Sequence, residues 1–351
     1  MQSARRLVLG TDGAEHAMKS SDDDEPLTPT NSSIRSFSTQ GSAAVQAVKV
    51  DNTVVFTQKG GTRILQAIWG GDYEYETNDL TTFFPEAGDS VFTSLAVQRQ
   101  PDTRIHCLRT DGSVMILSHD RAENIASWCK YTSSGTVEDI VILPGASGAT
   151  EDAVYYIVNR TINSSTVRYL EKWSLESQNQ GGTTSRQSDS HIIATCTAGV
   201  ITGLDNLEGE TVTIWGNGKD LSTGTVASNQ LTGVSESGSN FCVGIAYTAQ
   251  FKSSKLTTFL GQVKNIYRLG VVLHNTHYQG LQYGPSFTEL DNLPLTQGDT
   301  IADDTVHSSF DEESFEFDGR WQADSRLHLQ AASPRPCTLL AAIIGTKVNE
   351  K

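Results

Sequence analysis

The feature that most constrains this chain is a series of short segments in which apolar and polar residues alternate. The segments recur at intervals of roughly 8–12 residues, which is a spacing typical of all-β domains. Turn residues such as Gly, Asp-Gly, Asn-Gly or Pro close most of them. Alternation with a period of two places successive side chains on opposite faces of a strand, whereas a helix requires a period of 3.6. The pattern therefore predicts an all-β fold.

The clearest hairpin is predicted where the segments RIHCL and SVMILS flank Arg109, Thr110, Asp111 and Gly112. Asp-Gly favours such a turn because its central residues tolerate a positive φ. A second Thr-Asp-Gly triplet, at residues 11–13, follows another alternating segment and predicts an equivalent hairpin. Groups of about four strands over roughly 40–50 residues favour β-propeller blades, and a β-sandwich is the alternative.

Changes in residue composition and in the alternation pattern along the chain predict four regions. Residues 1–175 carry the blade-like pattern, with room for about three to four blades. Residues 176–190 are polar and predict a linker. Residues 191–251, with the segments TVTIWG, TGTVAS and FCVGIAY, predict an inserted small β-barrel or sandwich. Residues 252–351 predict a C-terminal β platform, with a long strand bent at Gly270 and a last strand in CTLLAAIIGTKV.

The charge balance limits the partners of the chain. Lys and Arg number 26 against 41 Asp and Glu, which gives a formal net charge of −15. A protein that binds nucleic acid by neutralising phosphates needs the opposite excess. No apolar run approaches the roughly 20 residues that span a bilayer, and the first residues lack the apolar core of a signal peptide. The sequence predicts a soluble, non-exported chain with no membrane partner.

No pattern of reactive residues predicts catalysis, a metal site or a cofactor. His274 and His277 are expected on opposite faces of a strand. The adjacent acids Glu138-Asp139 and Glu151-Asp152 are likewise expected to diverge, and His119-Asp120 has no second metal-ligating partner. Five widely spaced cysteines are interpreted as small buried hydrophobic residues: Cys107, Cys129, Cys196, Cys242 and Cys337. The chain is therefore predicted not to be an enzyme.

Several stretches, in order, resemble one known family. They are RLVLGTDGAEHAM, LTPTNSSIRSFSTQGSAAVQAVKVDNTVVFTQKGGTRI, QPDTRIHCLRTDGSVMILSHDRAENIASWCKYTSSGTVEDIVIL, DAVYYIVNRTINSSTVRYLEKW, GLDNLEGETVTIWGNG with VGIAYTAQF, and GRWQADSRLHLQAASPRPCTLLAAIIG. Together they cover nearly the whole chain, which is similar to the tail nozzle, or tail tubular protein B, of short-tailed bacteriophages. Members of that family are usually longer at the N-terminus, so the chain is expected to lack the N-terminal part.

The resemblance implies a structural role in the virion tail, after assembly in the host bacterial cytoplasm. It implies a homo-oligomeric ring of about six copies that docks on the tail adaptor next to the portal and contacts tail fibres or spikes. Such a nozzle retains the genome and conducts viral DNA during ejection. No cofactor follows from it.

An acidic stretch is the one candidate for a channel or gate loop. Residues 303–318 include seven carboxylates and no Lys or Arg: Asp303, Asp304, Asp311, Glu312, Glu313, Glu316 and Asp318. In a ring these acids would repel the phosphates of passing DNA. An exposed loop anchored by its phenylalanines is the alternative interpretation.

A second function, from another class, is a carbohydrate-binding or glycan-cleaving β-propeller adhesin. It would need exposed coplanar aromatic side chains over a pocket with two carboxylates about 5–9 Å apart. Five tryptophans could supply a sugar platform, although core packing is expected for each: Trp69, Trp128, Trp173, Trp215 and Trp321. A monomeric scaffold with no role in a virion is the third alternative.

Overall fold

The computed structural model describes residues 1–4, 6–20, 25–70, 75–123, 125–182, 185–256, 261–293 and 306–349. Its regular elements are β-strands and the short 3₁₀ turns Pro85–Asp89, Glu176–Gln178 and Asp205–Leu207, so the predicted all-β fold is confirmed. Within these ranges no helix has the length and hydrophobicity to cross a membrane. Contacts divide the chain into two compact units, 1–161 with 166–173 and 162–165 with 174–351.

The first unit consists of antiparallel meanders that follow one another along the chain. Sheet 1 contains β1 (Gln2–Ser3), β2 (Leu7–Gly10), β3 (Glu15–Ser20) and β4 (Ser32–Ser38). Sheet 2 contains β5 (Val48–Val50), β6 (Thr53–Thr57), β7 (Ile64–Trp69) and β8 (Tyr75–Asp79). Sheet 3 contains β9 (Phe92–Gln98), β10 (Arg104–Arg109), β11 (Val114–Asp120) and β12 (Ile125–Tyr131). Sheet 4 contains β13 (Thr136–Leu143), β14 (Ala153–Ile162) and β15 (Ser165–Lys172).

The four sheets stack on one another in chain order through shared hydrophobic clusters. Val54 and Phe56 of β6 join a cluster with sheet 1, whereas Val55 between them joins a cluster with sheet 3. This alternation explains why every residue of β6 is buried. The first strands β1, β5, β9 and β13 are neighbours in turn. The first unit is thus a series of antiparallel meanders packed face to face, and their assignment to a β-propeller stays a prediction.

A backbone hydrogen bond joins each sheet to the next at an equivalent position. The amide that leads into the following sheet donates to a carbonyl in the central turn of the preceding sheet. The three pairs, with N–O distances of 2.8, 2.8 and 3.0 Å, are Ser42 to Thr11, Phe92 to Gly61 and Val137 to Gly112. The two Thr-Asp-Gly triplets both lie in these central turns, β2–β3 and β10–β11. The repeat in the sequence therefore reflects the joints between the sheets.

Gly112 supplies the carbonyl of the joint between sheets 3 and 4. Its φ is +75°, and a Cβ built there would lie 2.6 Å from the Cβ of Thr136. We expect Gly112→Ala to lower the free energy of unfolding by about 1–3 kcal/mol, because a side chain there combines left-handed strain with a steric clash. Denaturant unfolding measures the change.

Gly60→Ala is the matched control for that substitution. Gly60 lies in the central turn of sheet 2, its added Cβ would meet nothing within 4 Å, and it does not have a positive φ. We expect its effect to stay within about 0.5 kcal/mol. Equal losses in the two variants would contradict the assignment of the joint.

The second unit contains three sheets. The six-stranded sheet has the order β19-β18-β21-β16-β17-β20 and is built from β16 (Asp189–Thr197), β17 (Val200–Thr202), β18 (Thr211–Gly216), β19 (Lys219–Thr225), β20 (Gln230–Thr232) and β21 (Gly238–Ile245). The four-stranded sheet is built from β22 (Thr248–Lys252), β24 (Gln282–Ser286), β25 (Glu289–Asn292) and β27 (His328–Ala332). The three-stranded sheet is built from β23 (Lys264–His277), β26 (Val306–Glu316) and β28 (Thr338–Val348).

The six-stranded sheet curves around one hydrophobic core. All six strands contribute to the same cluster, including Leu221 and Leu231 from the two strands at the ends of the sheet order, β19 and β20. A flat sheet could not bring both end strands to one cluster. The strands of this sheet extend from Asp189 to Ile245, whereas the small barrel or sandwich was predicted for 191–251; residues 248–251 belong to β22 of the four-stranded sheet.

The long strand predicted in the C-terminal region is present as β23. β23 extends over 14 residues and is paired on both sides, by β26 and by β28. The register between β23 and β26 shifts between Leu269 and Val271, which places an irregularity at Gly270, where the bend was predicted. The last strand, β28, also lies within the predicted segment.

Candidate functional site

The acidic candidate segment forms a strand rather than the predicted loop. Asp303 and Asp304 lie outside the described residues, but Asp311, Glu312, Glu313 and Glu316 belong to β26. Its backbone pairs with β23 from Val306 opposite His277 to Glu316 opposite Arg268. The segment forms a strand because its backbone groups make ladder hydrogen bonds to β23, its long neighbour. Glu316 and Asp318 are exposed.

The position of β26 in its sheet gives the acidic segment a defined geometry. β26 and β28 are the two edges of the three-stranded sheet, with β23 between them. An edge strand presents unpaired backbone groups on one side, and charged residues protect such edges from pairing. The structure thus brings four of the seven predicted acids onto one strand edge, with Asp318 two residues beyond it. Whether that edge lines a channel stays a prediction.

The other residues singled out from the sequence have structural partners. His119 accepts a hydrogen bond at Nε2 from the Gln66 amide (2.9 Å). Asp152 accepts the backbone amides of Arg99 and Gln100 at 2.6 and 2.9 Å, which fixes the turn that they begin. No cluster of three or more His, Cys, Asp or Glu suited to a metal occurs among the residues that the structure describes.

His274 and His277 diverge as the spacing predicted. His274 is exposed, whereas His277 is buried with its ring centroid 5.8 Å from that of Trp215. The adjacent acids of β13 also diverge in their roles: Glu138 pairs with Arg168 at 2.6 Å, and Asp139 accepts the backbone amide of Ile140. The two members of each pair therefore have separate surroundings.

The cysteine prediction is correct for most positions and wrong for one. All five cysteines are free; Cys107, Cys196 and Cys242 are buried and Cys337 is half-buried. Cys129 is exposed instead, because β12 is the last strand of sheet 3 and has few residues packed over its outer side. Burial raises the pKa of Cys337 to about 11 and that of Cys242 to about 12, so both thiols stay protonated at neutral pH.

Four of the five tryptophans belong to hydrophobic cores. Trp69, Trp128 and Trp173 pack against clusters of the first unit, and Trp215 is fully buried in the second. Trp321 departs from the core prediction, since 52% of its surface is exposed and it lies outside the strands. The exposed aromatic side chains also include Phe83 and Phe251, and the glycan-binding alternative stays a prediction.

Two buried polar groups in the first unit were not singled out from the sequence. Arg160 on β14 forms a bidentate pair with Glu171, with N–O distances of 2.6 and 2.7 Å. His106 on β10 is fully buried beside the hydroxyl of Tyr156. Both positions follow ordinary alternation along their strands, so no local pattern distinguishes them from exposed polar residues.

The outer face of sheet 4 carries an exposed apolar surface. Val137 and Ile140 of β13 point toward sheet 3, and alternation therefore turns Val141 and Leu143 the other way. Leu170 of β15 lies on the same outer side. The exposed fractions of Val141, Leu143 and Leu170 are 43%, 50% and 69%. Exposed apolar side chains that share one sheet face make that face a candidate interaction surface.

Comparison with known proteins adds no relative: no protein-family model matches the chain, and no curated protein sequence matches it.

Proposed function

We propose that the chain is a structural protein of a short phage tail, a subunit of a nozzle ring of about six copies. The ring docks on the tail adaptor, retains the genome and conducts DNA during ejection. The observation that carries the proposal is the open apolar face of sheet 4, with Val141, Leu143 and Leu170 exposed on the last of four stacked sheets. In an assembly that face is covered by a neighbouring subunit.

The order of the sheets supports the same proposal. Blade-like sheets come first along the chain, then a curved six-stranded sheet, then the two C-terminal sheets. This is the order that the resemblance to the nozzle family implies. In the described part of the chain, buried polar groups such as His106, Arg160 and Asp152 form local hydrogen bonds. Such bonds suit a protein whose role is to assemble with others.

The net charge gives the ring a physical role toward DNA. Each copy carries −15, so six copies bring about −90 to one ring. A channel bordered by negative charge repels the phosphate backbone and lowers the residence of DNA on its wall. DNA would then pass the protein without being held by it.

Cryo-electron microscopy of tailed particles that contain this chain tests the assignment. We expect density for the two units on the six-fold tail axis, below the adaptor, with the outer face of sheet 4 covered. Density elsewhere in the particle, or an uncovered sheet 4 in every copy, would exclude the nozzle assignment.

Charge reversal on β26 tests the predicted channel segment. We expect Glu312→Lys with Glu313→Lys to slow triggered DNA ejection, because lysines at the channel would attract the phosphates that the acids repel. The slowing should diminish as salt concentration rises. Ejection is followed by the release of DNA from purified particles.

The control is the pair Glu86→Lys with Asp89→Lys, two exposed acids at the 3₁₀ turn before sheet 3. It changes the net charge by the same amount away from β26. If both pairs slow ejection equally, or neither does, β26 does not border the channel.

A further inference from the structure

A cavity in the second unit has a composition unlike that of the rest of the chain. Its volume is about 270 Å³. It is bordered by residues of the segment before β16, by Tyr247 and β22, and by the end of β27 with the turn that follows it. Small-molecule sites usually measure roughly 300–1,000 Å³, so this cavity suits a compact ligand of few atoms. None of its lining residues is Asp or Glu, although the chain as a whole carries 41 acids.

Two guanidinium groups border the cavity. Arg186 donates from Nη1 to the neutral amide oxygen of Gln178 at 3.0 Å, and within the described ranges it has no carboxylate in an ion pair. Arg335 donates from Nε to Asp220 at 2.8 Å, and this bond leaves its two terminal nitrogens for another acceptor. Two guanidinium groups therefore border the cavity; Asp220 binds one of them, and Asp189 lies near Tyr247.

Neutral donors border the same space. The Ser333 hydroxyl oxygen accepts the backbone amide of Tyr247 at 2.9 Å, so its proton is free to point elsewhere. The Tyr247 phenol is protonated at neutral pH, since burial, together with nearby groups that include Asp189, raises its pKa from 10 to about 12. Ala249 and Ala331, opposite each other on β22 and β27, form a small apolar wall. The cavity thus offers many donors, few acceptors and little room.

We propose that this cavity binds a small molecule through an oxyanion group, a phosphate or a carboxylate. The planar guanidinium of Arg186 pairs with two oxygens of such a group, and Arg335 supplies a second cation. Ser333 and Tyr247 donate to the remaining oxygens, and the alanine wall limits the body of the ligand to a few carbons. The site is separate from the tail role proposed above and does not depend on it.

Titration of the intact chain with inorganic phosphate and, separately, with acetate tests the proposal. Calorimetry, with sodium chloride at the same ionic strength as the reference, should show saturable binding of one anion per chain. Saturation by phosphate alone identifies a phosphoryl ligand, and saturation by acetate alone identifies a carboxylate. If neither anion binds beyond the chloride reference, the proposal is overturned.

Substitutions assign the binding to this cavity. Arg186→Gln should weaken it about tenfold or more, since a hydrogen bond to a charged group contributes roughly 1.5–3 kcal/mol. Ala249→Leu keeps both arginines and should block the space. Arg121→Gln, at an exposed position in the first unit, removes the same charge and should bind as the wild type does. Unchanged circular dichroism confirms folding. Equal affinity in all three variants would place the anion elsewhere and overturn the proposal.

Discussion

Arg160→Met is expected to lower the stability of the first unit by about 3–5 kcal/mol, the typical effect of breaking a buried ion pair. The Arg160 side chain is 1% exposed, and its guanidinium contacts both oxygens of Glu171 and the hydroxyl of Ser134 at 2.5 Å. Methionine has a similar apolar stem but no donor. Glu171 would then keep a negative charge on a largely buried side chain without its cation.

The same sheet provides a matched control. Arg168 on β15 also binds a carboxylate through two nitrogens, that of Glu138, but its side chain is 62% exposed. Arg168→Met should therefore cost far less than Arg160→Met, because water solvates both partners when the exposed pair is broken. The comparison separates burial from geometry, since both pairs are bidentate.

Amide hydrogen exchange of peptides from β14 and β15 measures both variants within sheet 4. The double variant Arg160→Met with Glu171→Leu should recover part of the loss, because it removes the unpaired charge. A loss for Arg160→Met no larger than that for Arg168→Met would show that the buried pair contributes little.

Acidification is expected to destabilise the first unit through His106. Burial, together with the nearby Arg104 guanidinium, lowers the pKa of His106 from its ordinary 6.5 to about 4. The unfolded chain therefore binds this proton at a higher pH than the folded chain. The stability from neutral His106 is complete above pH 6.5 and is lost as the pH falls toward 4. A difference of this size corresponds to about 3 kcal/mol at most.

The hydrogen bonds of His106 explain why the neutral form fits. Gln98 Oε1, which can only accept, lies 3.2 Å from Nε2, so Nε2 carries the proton. Nδ1 accepts from the Tyr156 hydroxyl at 2.6 Å, and burial raises the pKa of Tyr156 well above its ordinary value. If Nδ1 also carried a proton, it could no longer accept from the Tyr156 hydroxyl. The hydroxyl proton of Tyr156 would then need another acceptor.

Denaturant unfolding at several pH values between 7.5 and 4 tests this expectation in wild type and His106→Gln. Glutamine keeps a polar side chain but does not titrate in this range. The stability difference between the two proteins should shrink by up to about 3 kcal/mol across that interval. Parallel pH profiles would show that His106 is not the group responsible.

Much of the strand pattern was predictable from the sequence because it depends on local chemistry. The hairpin between β10 and β11 was identified from Asp111 and Gly112, and Gly112 indeed has a positive φ. The bend predicted at Gly270 coincides with a register shift between Leu269 and Val271. By contrast, residues 303–318 were interpreted as a channel or gate loop, whereas 306–316 form the strand β26. Their pairing with β23, a segment distant in the sequence, could not be seen locally.

The sequence by itself determined that this protein is all-β, where many of its turns lie and that its net charge is strongly negative. These properties follow from alternation, from residues that accept a positive φ and from composition. Only the tertiary structure decided that Arg160 and His106 are buried, that the acidic residues form a sheet edge and that Arg186 and Arg335 border one cavity. Those outcomes depend on which distant strands pair, and a single strand carries the same alternation whether its polar side faces water or another sheet.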